Sequence, residues 1–167
     1  SYTSLLPVIC VGNVTMGGSG KTPVVHALAQ LLLEMNREPA IMLRGYGGTL
    51  RGPTWVTGQT PKQVGDEALL HIGYAPTMLA RDRVAGARMI EQNSKITHII
   101  MDDGLQNPGL KKDLSFLVVD GAHPFGNGRV FPAGPLREPV DSAIKRSDAL
   151  LILGDDLHDL AGTYHFA

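Results

Sequence analysis

A glycine-rich run between an apolar segment and an amphipathic one holds the residues best suited to phosphate chemistry. It ends in the six residues Gly17, Gly18, Ser19, Gly20, Lys21 and Thr22. In a loop of this kind the backbone N–H groups and the N-terminus of the following helix face the anion. The lysine adds a positive charge, and the threonine hydroxyl can ligate Mg²⁺. The run therefore predicts a nucleoside triphosphate site rather than an accidental glycine turn.

Two adjacent carboxylates, Asp102 and Asp103, end an apolar run that begins at His98. A strand that ends in acids beside a phosphate loop is a Walker-B arrangement, which holds the Mg²⁺ of a bound nucleotide. Successive strand residues point to opposite faces, so we expect the turn at Gly104 to redirect one acid. The alternative is a strand end followed by an Asp that caps a helix. The phosphate loop upstream favours the metal site.

Asp66 starts a helical pattern directly after Gly65, and two interpretations of it stay open. An aspartate here can be an ordinary helix cap, because its carboxylate can accept hydrogen bonds from backbone N–H groups. It can also be a general base that takes a proton from an attacking hydroxyl during phosphoryl transfer.

Arginines recur where the predicted strands end. Arg44 opens the sequence Arg-Gly-Tyr-Gly-Gly, in which Tyr46 can stack or donate a hydrogen bond, and Arg83 follows another strand. Arg137 and Glu138 lie in the last long loop. One surface arginine is usually only solvated, but several at one edge of a sheet indicate an anionic substrate.

Short apolar runs alternate with helical patterns, which predicts an α/β, three-layer P-loop NTPase-like fold with a mostly parallel sheet and helices on both faces. The predicted strands are Leu6–Val11, Ala40–Leu43, Thr77–Ala80, His98–Met101, Ser115–Val119 and Leu150–Leu153. The predicted helices are Val24–Met35, Asp66–Gly73, Asp82–Asn93 and Val140–Arg146, with Asp82 as a cap. Long loops over Arg44–Pro61, Gly104–Asp113 and Gly121–Pro139 are expected to line a ligand site at the carboxyl ends of the strands.

Helical spacing predicts which side chains are buried. The stripe of the first helix that we expect to face the sheet is Val24, Leu28, Leu31, Leu32 and Met35. The residues assigned to the core are Met35, Met42, Met78, Met101 and the single cysteine, Cys10. His26 and His71 are expected on the solvent faces of their helices, and the six histidines show no metal-ligand spacing.

Composition limits the class of protein. A chain of 167 residues with 43% hydrophobic content can bury one sizeable core. The formal net charge of −1 leaves no basic footprint for nucleic acid. No apolar run approaches the roughly 20 residues of a membrane span.

Six segments, in order along the chain, resemble one family: the tetraacyldisaccharide 4′-kinases of lipid A biosynthesis. They are Val11–Pro23, Arg44–Gly48, Gly65–Leu70, Asp102–Gln106, Phe125–Gly128 and Pro132–Pro139. The last is the most specific, because generic P-loop proteins lack it. Thr15, where the common P-loop pattern has glycine, is then a family feature.

The resemblance implies ATP-dependent phosphorylation of the 4′-hydroxyl of tetraacyldisaccharide 1-phosphate, giving lipid IVA, with ATP and Mg²⁺ as cofactors. It implies that Lys21 and Thr22 hold the β/γ-phosphates and Mg²⁺, and that Asp102 and Asp103 serve the metal and its water shell. Asp66 matches the family's catalytic carboxylate. The residues that match other positions lining the family's active site are Tyr46, Arg83, Gln106, Arg137 and Glu138.

Two departures qualify the resemblance. Asn107 stands where the family usually has histidine, which puts a proton-handling role there in doubt. Family members are about twice as long, so residues 1–167 are predicted to be the nucleotide-binding lobe without the family's membrane-binding segment and C-terminal lobe. The full-length family works on a lipid disaccharide at the cytoplasmic face of the bacterial inner membrane. We expect this piece to be soluble and to transfer phosphate slowly or not at all.

Two other functions stay open. One is an ATPase or GTPase of the partitioning or metallochaperone type, although Met16 stands where partitioning ATPases carry a lysine, and the Pro132–Pro139 segment also argues against it. The other is a nucleotide-binding module that has lost its chemistry and only scaffolds a partner.

Overall fold

The computed structural model describes residues 1–17 and 20–166, so Gly18 and Ser19 of the predicted phosphate loop lie outside the described residues. The strands are β1 (Val8–Gly12), β2 (Pro39–Leu43), β3 (Thr54–Trp55), β4 (Thr77–Leu79), β5 (His98–Asp102), β6 (Leu114–Asp120) and β7 (Ala149–Leu153). The helices are α1 (Lys21–Glu34), α2 (Pro61–Val64), α3 (Asp66–His71), α4 (Arg83–Glu91), α5 (Val140–Ile144) and α6 (Leu160–Thr163). Asp82 caps α4 as predicted, because its carboxylate accepts from the N–H groups of Val84 and Ala85.

The strands form one sheet in the order β3-β4-β2-β5-β1-β6-β7. Every pairing is parallel except that of β3 with β4. All six predicted strands are present within two residues of their expected bounds. The short antiparallel β3 falls in the predicted loop Arg44–Pro61, because two residues carry no readable pattern.

Helices cover both faces of the sheet, which confirms the predicted α/β, P-loop NTPase-like fold. On one face, Val25, Ala29 and Leu32 of α1 pack against strand residues such as Ile41 and Ile100. On the other face, the neighbouring strand positions pack against α4, α5 and α6. Strands covered on both sides are apolar at successive positions, which is why their sequences read as continuous runs.

The predicted inward stripe of α1 is wrong for two of its members. Leu31 is 51% exposed and Met35 is 60% exposed, whereas Val25 and Ala29 are fully buried. Val25, Ala29 and Leu32 form the side of α1 that packs on the sheet. Val24, Leu28 and Leu31 instead line an open apolar groove against β7.

Of the other burial predictions, those for the core are confirmed and the one for His71 is wrong. Met42, Met78 and Met101 are fully buried, as predicted. Cys10 is also buried, and burial raises the pKa of its thiol to about 12. His71, predicted to face solvent, is fully buried, and its surroundings are described with the site. Across residues 1–17 and 20–166, no helix has the length and apolar character needed to cross a membrane.

Candidate functional site

The described part of the phosphate loop delivers Lys21 to the carboxyl edge of the sheet. The loop enters α1 through Gly20, which has a positive φ of 74°, and a Cβ there would lie 2.3 Å from a methyl carbon of Leu153. The Lys21 ammonium donates to Asn13 Oδ1 at 3.0 Å and lies 3.6 Å from Asp103 Oδ1. The lysine side chain is only 12% exposed, so its charge is held close to the base of the loop. Thr22, the next residue, is partly exposed.

Asn13 is a site residue that the sequence analysis missed. It is fully buried, and its amide donates to the backbone oxygen and the hydroxyl of Thr15 at 2.9 and 3.1 Å. Its backbone oxygen accepts from Gln106 Nε2 at 2.9 Å. Asn13 therefore shapes the start of the loop and binds its lysine. A polar residue at the end of an apolar strand was the available signal.

The segment Pro132–Pro139 lies directly against the phosphate loop. The N–H of Met16 donates to the Pro135 oxygen, and the N–H of Arg137 donates to the Val14 oxygen, both at 2.7 Å. These bonds place the Arg137 guanidinium on the Asp103 carboxylate, with contacts of 2.8 and 2.9 Å to its two oxygens.

Glu138 joins the same network. Its Oε1 accepts from Gln106 Nε2 at 3.0 Å, and its other oxygen pairs with Arg146. The structure thus joins Lys21, Asp103, Gln106, Arg137 and Glu138 in one network of hydrogen bonds and ion pairs. Asn13 links Lys21 to Gln106 within it. Asn107, where the family usually has histidine, has a local role: its Oδ1 accepts from the N–H groups of Gly109 and Leu110.

The two adjacent acids are aimed in different directions. Asp102 is the last residue of β5, and its side chain is buried. Asp103 has a φ of 53°, in the left-handed region, so the change of direction occurs at Asp103 itself rather than at Gly104. The turn thus places one carboxylate inside the protein and the other in the phosphate-loop network.

The buried side of Asp102 is lined by histidines. Asp102 Oδ2 lies 2.9 Å from His71 Nε2, and His71 Nδ1 lies 3.0 Å from His26 Nε2. The solvent-facing prediction for His71 is wrong because α3 turns this residue onto the end of β5. His26 is partly buried and stacks on Tyr74, with ring centroids 3.6 Å apart. The helical spacing could have predicted that His71 is buried. His71 lies three residues after the buried Ala68 and therefore on the same helix face.

Arg83 is buried and holds two strand ends together. Its guanidinium donates to the backbone oxygens of Ala80 at 2.7 Å and Asp102 at 3.2 Å. Burial lowers the pKa of Arg83, while the nearby charges of Asp103 and Asp102 act in the opposite direction. The contacts of Arg83 are therefore structural, and its role toward a substrate stays a prediction.

Asp66 begins α3, and the Gly65 that precedes it lies against the backbone of Tyr46 in the loop after β2. Gly65 has a positive φ of 85°, and a Cβ there would lie 2.4 Å from the Tyr46 oxygen, so the close approach requires glycine. Gly65 is the N-cap of α3, and Asp66 is the exposed first residue of the helix, so the N-cap interpretation of Asp66 is wrong. Tyr46 is 89% exposed.

The acids at the end of β5 suit a divalent cation that also binds phosphate. Asp102 Oδ1 is buried and has no hydrogen-bond partner among the residues that the structure describes. Those residues contain no group of three or more His, Cys, Asp or Glu side chains able to hold a metal by themselves. Mg²⁺ typically binds one or two carboxylates together with substrate phosphates and water, so this sparse set fits it.

Comparison with known proteins decides the family. The family model of the tetraacyldisaccharide-1-P 4′-kinases (LpxK) matches residues 1–164. The chain belongs to the LpxK family. It is 48% identical to the tetraacyldisaccharide 4′-kinase of Gluconobacter oxydans over 167 residues, which are 98% of this chain and 50% of that protein. It is 55% identical to the Methylobacterium nodulans enzyme over 152 residues, 90% of this chain and 45% of that protein.

A solved LpxK structure shares the fold. The crystal structure of LpxK from Aquifex aeolicus in complex with ATP superposes with a TM-score of 0.83 at 32% identity. The match covers 94% of this chain and 51% of that one. The chain thus spans about half the length of the LpxK relatives that it matches.

Proposed function

We propose that this chain forms the nucleotide-binding lobe, residues 1–167, of an ATP-dependent tetraacyldisaccharide 4′-kinase. The observation that carries the proposal is the single network in which the loop lysine, Asp103, Gln106, Arg137 and Glu138 meet. A partitioning-type ATPase has no counterpart of the Pro132–Pro139 segment that builds half of this network. Membership of the LpxK family, whose model describes a tetraacyldisaccharide-1-P 4′-kinase, also favours the kinase over the ATPase.

Residues of the loop and the Walker-B strand end bind the donor in this proposal. The loop from Gly17 to Thr22, with Lys21, cradles the β- and γ-phosphates of ATP. Thr22, Asp102 and Asp103 hold Mg²⁺, which neutralises charge on the phosphates when it is bound. Asn13 and Asp103 contact the Lys21 ammonium and hold it at the base of the loop that is proposed to cradle the phosphates.

Asp66 is the proposed general base for the acceptor hydroxyl. Its carboxylate is exposed, so a substrate hydroxyl can reach it. Phosphoryl transfer relies mainly on positioning and charge stabilisation, and the base orients and deprotonates the nucleophile. Tyr46, whose backbone lies against Gly65 and whose side chain is exposed, is the proposed contact of the acceptor sugar.

The acceptor is proposed to be the 4′-hydroxyl of tetraacyldisaccharide 1-phosphate, a step of lipid A biosynthesis that yields lipid IVA. Arg83 and Arg137 are the candidate partners of its anionic groups, with Arg137 the more accessible. The complete enzyme then works as a peripheral protein at the cytoplasmic face of the inner membrane, where such a lipid lies.

The test uses a chimera in which residues 1–164 replace the matching half of the Gluconobacter oxydans enzyme. Transfer of ³²P from ATP to the disaccharide lipid is measured for the parent chimera, Asp66→Asn and the control Glu67→Gln, an exposed acid one residue further along. Asp66→Asn should lower the transfer rate at least about 100-fold, the typical contribution of a general base, with Mg·ATP affinity within about twofold. Glu67→Gln should leave both unchanged.

Each result has a separate meaning. Full transfer by Asp66→Asn shows that the base assignment is wrong while the kinase assignment stands. Equal losses in Asp66→Asn and Glu67→Gln show that the helix terminus, not one carboxylate, matters. A parent chimera that binds Mg·ATP tightly but never phosphorylates the lipid contradicts the proposed acceptor.

A further inference from the structure

A file of three polar side chains runs from α1 to the metal-binding edge of the sheet. His26 Nε2 lies 3.0 Å from His71 Nδ1, and His71 Nε2 lies 2.9 Å from Asp102 Oδ2. His71 is fully buried, and Asp102 is 3% exposed. The three residues come from α1, α3 and β5, separated by 45 and 31 positions in the sequence.

Elementary hydrogen-bond chemistry assigns the protons of this file. An ionised carboxylate only accepts, so His71 Nε2 carries the hydrogen that it donates to Asp102. Neutral His71 then has a lone pair on Nδ1, which accepts from Nε2–H of His26. Burial lowers the pKa of His26, which favours the neutral ring that this direction uses. Every bond in the file then runs toward the carboxylate.

In this file His71 contacts only one of the two carboxylate oxygens of Asp102, Oδ2. Asp102 Oδ1 is buried without a hydrogen-bond partner among the described residues. A buried carboxylate oxygen without a partner costs free energy unless a cation or donor binds it. Arg83 donates to the backbone oxygen of the same residue, which secures the strand end as well.

We propose that His71, supported by His26, is a positioning residue that fixes the Asp102 carboxylate with Oδ1 directed to the divalent cation of the nucleotide site. The proposal rests on the proposed function, because that site is where the cation binds. Outer partners of this kind orient metal-binding groups and restrict their rotation. Because α3 begins with Asp66 and ends with His71, the same contact also ties the proposed base, about 7.5 Å away along the helix axis, to the metal site.

The experiment measures Mn²⁺ as a probe for the divalent cation. The full chain is saturated with the non-hydrolysable ATP analogue AMP-PNP, and free Mn²⁺ is counted by electron paramagnetic resonance. Affinity for AMP-PNP without metal is measured in EDTA by calorimetry. The variants are His71→Leu, which removes the donor, His71→Gln, whose amide places a donor near the Nε2 position, and His26→Leu.

His98→Leu is the matched control. His98 is a partly buried histidine at the start of the same strand, β5, about 13 Å from Asp102 along the strand, and it contacts Thr97. Mn²⁺ affinity should fall about 10- to 100-fold in His71→Leu, the usual cost of losing an outer partner. It should fall about 2- to 10-fold in His26→Leu, and by less than about threefold in His71→Gln. His98→Leu and all affinities in EDTA should stay within about twofold.

Long-range ¹H–¹⁵N spectra of the wild-type chain provide a second readout, which does not depend on substitution. They should show His71 as the Nε2–H tautomer. An Nδ1–H tautomer overturns the proposed direction of the bonds.

The outcomes separate this proposal from the proposed function. Wild-type Mn²⁺ affinity in a folded His71→Leu overturns the positioning role. Parallel losses with and without metal also overturn it, because they indicate a general packing defect. If His71→Leu does not fold, His26→Leu against His98→Leu decides: equal Mn²⁺ affinities overturn the proposal, and a selective loss supports it. A wild-type chain that binds neither AMP-PNP nor Mn·AMP-PNP contradicts the proposed function, and the positioning role falls with it.

Discussion

The carboxylates of Asp102 and Asp103 are adjacent in sequence, yet one lies among buried histidines and the other among partly exposed basic side chains. Asp102 contacts His71, and its side chain is 4% exposed. Asp103 contacts Arg137 and Lys21, and its side chain is 36% exposed. The positive φ of Asp103 separates the two environments.

The two carboxylates of the proposed cation site therefore have different surroundings. Around Asp102, low-dielectric surroundings strengthen each hydrogen bond, so the orientation of the carboxylate is preset. Around Asp103, water weakens the ion pairs, and pairs of this kind contribute roughly 0–1 kcal/mol. In the proposed site Asp103 can therefore release Lys21 or Arg137 to a phosphate and bind the metal at little cost, whereas Asp102 keeps its partner.

The largest predicted effect compares the two acids directly. Asp102→Asn should weaken Mg·ATP binding at least about 100-fold, because the loss of a ligand exceeds the 10- to 100-fold cost typical of an outer partner. Asp103→Asn should cost about tenfold, because solvent and neighbouring charges compensate. Calorimetric titration of each variant with Mg·ATP checks both values. Equal losses would show that burial does not distinguish the two acids.

The next prediction compares Arg83, which contacts Asp102, with Arg137, which contacts Asp103. Arg83→Met should lower the free energy of unfolding by roughly 1–3 kcal/mol, because it leaves the Ala80 and Asp102 oxygens without their donor. Arg137→Met should lower it by less than about 1 kcal/mol, because its pair with Asp103 is partly exposed. Urea unfolding measures both changes. A larger loss of unfolding free energy for Arg137→Met than for Arg83→Met would contradict the difference predicted between the buried and the partly exposed arginine.

The smallest effect concerns pH on the buried side. Burial and His71 lower the pKa of His26 below its usual 6.5, while the charge of Asp102 acts in the opposite direction; Tyr74 stacks on the ring. The folded chain therefore binds fewer protons at His26 than the unfolded chain. This contribution to stability is complete above pH 6.5 and is lost as the pH falls through the lower folded-state pKa.

The measurement is the difference in unfolding free energy between the wild-type chain and His26→Gln from pH 7.5 to 5. Glutamine keeps a donor for His71 but does not titrate. The wild-type chain should lose more stability than the variant as the solution becomes acidic. A constant difference over this range contradicts the assignment of the pH dependence to His26.

Features that involve near neighbours in the chain could be predicted from the sequence, and features that depend on distant segments could not. The bounds of β5 and the capping of α4 by Asp82 were predictable because apolar runs and N-cap chemistry involve near neighbours. Leu31 was misplaced because helical spacing defines a stripe but not the angle at which the helix docks on the sheet. His71 was misplaced because its partner, Asp102, lies 31 residues away.

The sequence by itself determined the phosphate loop, the acidic strand end and the α/β order, because glycine, lysine and apolar spacing act through residues close together in the chain. Only the tertiary structure decided that Arg83 is buried and binds the backbone oxygens of two strand ends. It also decided that Pro132–Pro139 lies against the phosphate loop. It also decided that one acid of the pair is held by a histidine file and the other by exchangeable charges. These properties depend on which distant segments meet at the carboxyl edge of the sheet, where burial sets the strength of each contact.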